Sequence, residues 1–362
     1  MNRPWWRHLR RITSGGRFVP EIDGLRFVAI AAVVAFHFHG FTTPAGHDAL
    51  SIAVQHGYRG VNLFYVISGF ILGLPFAEQH LKSGPAVRLK RYFLRRLTRL
   101  EPPYVLNLAI CFALLVLAGG QSARVLGPHL AASMVYLHSL WFGRQSDINP
   151  VAWTLEVEVQ FYCLAPLLAQ VFRIRAKPIR RTVLAGGILI AGALQMLWWN
   201  APDRMRLSIL YAIQFFLAGL LLADIYAADW SERPATSRYW DLAPLVSLPL
   251  IFLPADLTVW AALPFLILAA YIGTFRGVVF NRLLRNEVIV TAGGMCYTIY
   301  LFHYQLIAYA RHIAVYLPLL LAISGVYFAL IERPCMVKDW PRRAARFLMA
   351  PSTSISARRS PD

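Results

Sequence analysis

Histidine, arginine and glutamate move protons and hold phosphate, and in this 362-residue chain a few of them stand inside otherwise apolar stretches. In DGLRFVAIAAVVAFH, residues 23–37, Arg26 opens an apolar run that closes on His37. Eleven residues at 100° each make three helical turns plus about 20°, so both side chains share a helix face, about 16 Å apart along the axis. The pair brackets a column through the helix rather than one contact. Imidazole titrates near working pH and is nucleophilic when neutral, which suits His37 to general-base work or to carrying an acyl group. The plainer uses are a hydrogen bond between helices for His37 and snorkelling to headgroups for Arg26.

Three further groups belong to the same inventory. WTLEVEVQFY (153–162) carries Glu156 and Glu158, about 200° apart on a helix and therefore expected to serve different sites. A comparable charge at mid-bilayer costs about 2.5–3.5 kcal/mol on insertion scales, so each carboxylate implies a cavity, a partner or a proton. His303, in YTIYLFHYQLI, is suited either to catalysis or to a bond with a neighbouring helix. RRLTR (95–99) packs Arg95, Arg96 and Arg99 into about one turn, with Lys90 and Arg91 just before. Guanidinium forks pair with phosphate oxygens, and the same residues equally serve as a topology signal or a contact with anionic lipid heads.

The elements that must position these groups are membrane helices. The chain is 57% hydrophobic and 15% charged, against about 25% charged in soluble domains. Apolar runs lie near 24–42, 60–78, 103–120, 151–172, 182–199, 207–226, 242–254, 257–275, 288–310 and 313–331, predicting an all-α, polytopic bundle of about ten spans. Residues 129–142 are short for a crossing and are expected to form a re-entrant or interfacial helix. With ten crossings the basic loops 88–99, 173–181 and 275–285 fall on one side together with both termini, which the positive-inside rule makes cytosolic. That distribution accounts for the net charge of +18 without nucleic acid as a partner. Residues 1–21 are expected to be a retained basic arm, 22–334 the membrane domain, and 335–362 a basic, poorly ordered tail. The four cysteines are scattered, with no spacing that suggests a disulfide framework or a zinc site.

The segment 23–37 resembles the opening of the acyltransferase type 3 family, bacterial integral-membrane acyltransferases. The likeness continues in order through GYRGVNLFYVISGFIL (57–72), RRLTRLEPPY (95–104), WTLEVEVQFY, YTIYLFHYQLI (297–307) and LIERP (330–334). It implies transfer of an acyl group, acetyl above all, from cytosolic acyl-CoA to a hydroxyl of a glycan, lipid-linked sugar or small molecule in the bacterial cytoplasmic (inner) membrane. By this resemblance Arg95, Arg96 and Arg99 bind the donor's phosphates, Arg26 guides its pantetheine arm and His37 is the base or acyl relay. Glu158 matches the family glutamate and is expected in the acceptor pocket, orienting His37, with His303 and Glu156 as further candidates there. Asn62 stands where an acid is usual, Glu101 where an aromatic is common and Gln305 where a proline is frequent. Gly69 and Ser68 read as close helix packing, and Pro102–Pro103 as a break before the third span. Neither catalytic route calls for a metal or a bound cofactor. The alternative is a transporter or flippase of a lipid-linked saccharide, for which coupling elements and repeats are missing from the sequence.

Overall fold

The computed structural model describes residues 9–12, 18–43, 46, 48–198, 200–230, 234–254, 257–337 and 340–341, with side chains in the penultimate stretch from residue 260. The expected arm and tail therefore lie largely outside the described residues. Every extended element among those described is helical. In chain order they are α1 (Pro20–Thr42), α2 (Ala49–Gln55), α3 (Gly60–Leu81), α4 (Leu89–Leu117), α5 (Ala123–Met134), α6 (His138–Phe142) and α7 (Trp153–Leu168). There follow α8 (Lys177–Leu197), α9 (Asp203–Arg206), α10 (Ile209–Asp229), α11 (Leu242–Ile251), α12 (Leu257–Arg276) and α13 (Val279–Leu284). The last are α14 (Glu287–Gly294), α15 (Cys296–Ile307), α16 (Ile313–Tyr327) and, after a π-turn at Phe328–Glu332, α17 (Arg333–Cys335).

Among the described residues, seven helices are long and apolar enough to cross a membrane: α1, α3, α4, α7, α8, α10 and α16, several of them with flanking turns. This is an integral membrane protein with fewer uninterrupted spans than the ten expected. Two expected runs are shorter or divided. The run 242–254 is helical only to Ile251, about 15 Å at 1.5 Å per residue, because the buried Arg59 guanidinium accepts the chain there, donating to the carbonyls of Ile251 and Leu253 at 2.7 Å. The run 257–275 forms α12 over its whole length, Leu257–Arg276. The run 288–310 is divided at Met295 into α14 and α15. α5 and α6 occupy 129–142, and twelve residues of α5 reach only about 18 Å, short of the roughly 30 Å hydrocarbon layer.

The expected break at Pro102–Pro103 is absent: α4 runs through both prolines. Pro102 lacks the N–H that would bond Thr98, and an unsatisfied carbonyl at depth is costly. The Trp340 indole supplies the missing donor, 2.8 Å from the Thr98 oxygen. The Tyr327 hydroxyl donates to the Pro103 carbonyl.

α3 and α10 form the central pair. They meet at Gly69 and Gly219, where a Cβ would stand 2.3 Å from the carbonyl oxygens of Phe216 and Val66 respectively. Only glycine lets the backbones approach so closely. α1 is seated between α3 and the α14–α15 leg. Facing outward, Val183, Ile190 and Leu197 of α8 and Leu317, Leu321 and Val326 of α16 are exposed, a belt suited to lipid.

The basic loops gather at one end. There Lys177 and Arg181 bind Asp229, Arg180 and Arg181 grip the buried Asp224, and Lys82 donates to the Trp230 carbonyl at 3.1 Å. Asn281 reaches Glu21 beside the start of α1. We call this the basic end and the opposite side the far end.

Candidate functional site

Arg26 and His37 lie at opposite ends of α1, as the shared face and the 11-residue spacing require. Each lines a different cavity. The basic-end cavity, about 630 Å³, is lined by Arg26, Arg95, Arg96 and Arg99, by Arg11 and Lys82, and by the acids Asp23, Glu78, Glu158 and Glu332. Glu78, Lys82 and Pro85 at its rim are exposed. The far-end cavity, about 480 Å³, is lined by His37, Asn62, Gln145, Gln195, Asp203 and Arg206 among the aromatic rings of Tyr58, Trp153, Tyr211, Trp260 and Tyr304. Val61, Tyr65 and Tyr300 line both. The two hollows thus approach from opposite ends and are parted by a single layer of side chains.

The basic-end cavity is organised around Asp23, which accepts from Arg26 at 2.5 Å and from Arg11 at 3.1 Å. Arg96 lies over the Tyr92 ring at 3.7 Å and donates to the Tyr92 carbonyl. Among the described residues the Nε atoms of Arg11, Arg96 and Arg99 are buried with no hydrogen-bond partner, so donor capacity is left for an anionic ligand. The π-turn after α16 delivers Glu332, whose carboxylate accepts from Thr298. Lys90 and Arg91, which precede the arginine turn, are exposed and do not line the cavity.

At the far end His37 is fixed by its neighbours. His303 Nδ1 is 2.7 Å from the Tyr300 carbonyl, an atom that only accepts, so that nitrogen carries the hydrogen and Nε2 is left as acceptor. His303 Nε2 stands 3.1 Å from His37 Nδ1, which is also 3.1 Å from the Val33 carbonyl. Two acceptors on Nδ1 place the His37 proton there. Nε2 is then the lone-pair nitrogen, and among the described residues it makes no hydrogen bond. Tyr316 donates to the His303 carbonyl at 2.9 Å. Asn149 and Asn107 hold the Leu301 carbonyl, Tyr300 donates to Val151, and Thr154 donates to Tyr300. These bonds lock α15 against α4 and the start of α7.

The glutamates are placed differently from expectation. Glu158 does not meet His37; it lines the basic-end cavity and accepts from Ser68 Oγ at 2.7 Å. Ser68, expected as packing, is its anchor. Glu156, offset by more than half a turn, is fully buried, lines neither cavity and accepts the Ser139 backbone N–H at 2.8 Å, so it tethers α6. His303 is fully buried behind His37 rather than in the cavity wall. Sequence reasoning missed Arg11, Asp23, Glu332, Tyr65 and the two asparagines. Asp23 and Arg26 stand one turn apart, a spacing that signals an i, i+3 pair; Asn107 and Asn149 signal only as amides beside apolar runs.

A polytopic helical membrane protein with two opposed cavities, one lined by arginines and the other by a histidine, is the class that fold and site define. The acyltransferase domain family matches residues 19–331, and the chain belongs to that family. Relatives include the O-acetyltransferase OatA of Staphylococcus aureus (strain NCTC 8325), 22% identical over 82% of this chain and 51% of that protein. A second is a protein of S. aureus (strain COL) named as a candidate O-acetyltransferase, 24% identical over 82% of this chain and 52% of its own length. The peptidoglycan O-acetyltransferase OatA of Listeria monocytogenes serovar 1/2a is 28% identical over 55% of this chain and 32% of that protein. The chain spans about half the length of the first of these curated relatives. No solved structure matches the chain.

Proposed function

We propose that this chain is an O-acyltransferase that takes an acyl group, acetyl above all, from acyl-CoA at the basic end and places it on a hydroxyl of a glycan at the far end. The observation that carries this reading is the meeting of an arginine-lined cavity and a histidine-bearing cavity at Val61, Tyr65 and Tyr300. The basic end is read as cytosolic, with both termini on that side, in a bacterial cytoplasmic membrane; the clustered basic loops support it. CoA phosphates pair with Arg95, Arg96 and Arg99, and Arg26 guides the pantetheine arm toward the shared wall. Aromatic faces interleaved with Asn62, Gln145, Gln195, Asp203 and Arg206 suit a sugar, which offers both apolar ring faces and hydroxyls. The name of the Listeria relative, a peptidoglycan O-acetyltransferase, supports a glycan.

His37 Nε2 serves two routes. In direct transfer it takes the acceptor hydroxyl proton as the oxygen attacks the thioester carbonyl; the tetrahedral adduct expels CoA thiolate, which receives that proton. In the relay route Nε2 itself attacks and CoA thiolate leaves; the acceptor oxygen then displaces the neutral imidazole from the acyl carbon, and the hydroxyl proton it gives up neutralises the thiolate. In both, Val33 and His303 hold the developing positive charge on the ring through Nδ1–H.

The test is transfer in oriented proteoliposomes, with labelled acetyl-CoA on the N-terminal face and an impermeant glycan acceptor on either side. Product is expected only with the acceptor opposite the donor. Product only when both share the N-terminal face overturns the sidedness, and no CoA release with any acceptor favours a saccharide carrier instead.

A further inference from the structure

Away from the transfer path, His129 on α5, His138 at the start of α6 and Asp147 in the loop beyond converge. One ligand atom from each lies within 4.8 Å of the others. His129 Nδ1 is 2.9 Å from His138 Nε2 and 3.3 Å from an Asp147 oxygen. Two nitrogens bonded to one zinc at 2.0–2.1 Å with tetrahedral angles stand about 3.3 Å apart. Parting the side chains by a few tenths of an ångström therefore admits an ion.

The surrounding contacts are those that metal ligands need. His138 donates from Nδ1 to the Arg144 carbonyl at 3.3 Å, which leaves Nε2 as a lone pair facing His129. Metal-binding histidines are oriented in this way. Arg144 holds the Asp147 carboxylate through two bonds of 2.5 and 2.6 Å, fixing it while lone pairs remain on both oxygens. His138 is fully buried, His129 is 12% exposed and Asp147 29%, so the cluster is dry on one side and open on the other. The Phe142 ring packs on both imidazoles, with centroids 4.2 and 4.8 Å away. Glu156, through the Ser139 N–H, secures the short helix that presents His138.

We propose that His129, His138 and Asp147 form a divalent-cation site of the zinc class, with a fourth position for water. The ion replaces the hydrogen bond between the two imidazoles, and His129 carries its proton on Nε2 instead. Such an ion braces the loop that carries Gln145 and Pro150, both of which line the far-end cavity. The proposal stands apart from the transfer reading, since binding is measured without substrate.

Full-length, tag-free protein stripped with chelator and titrated with Zn²⁺ tests it. One zinc per chain is expected by elemental analysis after desalting, with an apparent melting temperature raised by about a few degrees when zinc is near 100 times its Kd. Co²⁺ in its place is expected to give visible d–d bands of a tetrahedral site. His129→Gln and Asp147→Asn, at the more open positions, are expected to lose the retained ion and the bands while eluting as the wild type does; His138→Gln is the stricter test. No retained ion in the wild-type chain overturns the proposal. So does zinc retained equally by His129→Gln and Asp147→Asn, which places the ion elsewhere.

Discussion

His37 owes its proposed role to the atoms that fix its ring. With Nδ1–H held by Val33 and His303, the reactive nitrogen is aimed without a carboxylate, which distinguishes this centre from a triad oriented by aspartate. His37→Ala is expected to lower kcat by about two orders of magnitude or more, within the range of acid-base catalysts, with membrane insertion unchanged; acetyl transfer by purified protein measures it. His303→Leu removes one acceptor and frees the ring to present the wrong tautomer. A loss in kcat of about tenfold or more with both KM values held is the expected signature of that positioning role. At the donor side, replacing Arg95, Arg96 or Arg99 by Gln is expected to raise donor KM by about tenfold each, as for a charged hydrogen bond, with acceptor KM unaltered. Rising salt is expected to weaken donor binding most through Arg95, the more exposed of the three, because exposed ion pairs are screened. Steady-state kinetics in each substrate at two ionic strengths separates this from a topology role, in which both KM values move together.

At the scale of elements, polar pairs at the basic end register one helix against another. Arg180 of α8 is buried against Asp224 of α10, and Arg181 bridges Asp224 to Asp229. Asp224→Ala leaves the Arg180 charge buried without a counter-ion, and a loss of about 3–5 kcal/mol is expected. Thermal unfolding in detergent is expected to show a markedly lower midpoint, while Lys177→Ala, an exposed partner of Asp229, changes it little. These pairs also show where sequence reasoning stopped. The Arg26–His37 column was legible because both residues sit on one helix, whose period fixes their relation. Glu156 and Glu158 were correctly separated by the same period, but which of them turned to a cavity depends on α6 and α3, and nothing in WTLEVEVQFY reports on those neighbours. The long helices were legible from apolar length. The short α11 was not, because its end is set by Arg59, 192 residues away in sequence from the carbonyl it binds. The unbroken α4 was likewise hidden, since its continuity depends on Trp340. The convergence of His129, His138 and Asp147 had no legible spacing because three separate elements create it.

For the whole molecule, the layer of Val61, Tyr65 and Tyr300 has an electrical consequence. Two water-filled hollows carry the potentials of their own sides inward, so most of a transmembrane voltage is expected to fall across this thin partition rather than across the full bilayer. A charge displaced through it is worth about 2.3 kcal/mol per 100 mV. Steps that move charge between the cavities are therefore expected to quicken or slow with an imposed diffusion potential, whereas binding at either rim is not. The same partition is expected to act as the seal against ions. Among the described residues the buried Tyr65 hydroxyl has no hydrogen-bond partner, so at that position the phenol ring rather than a polar bond fills the gap. Tyr65→Ala is expected to turn sealed vesicles leaky to protons, read as faster collapse of a pH gradient with an entrapped dye, while Tyr65→Phe stays tight. The layer that brings the two cavities together is thus also expected to insulate them from each other.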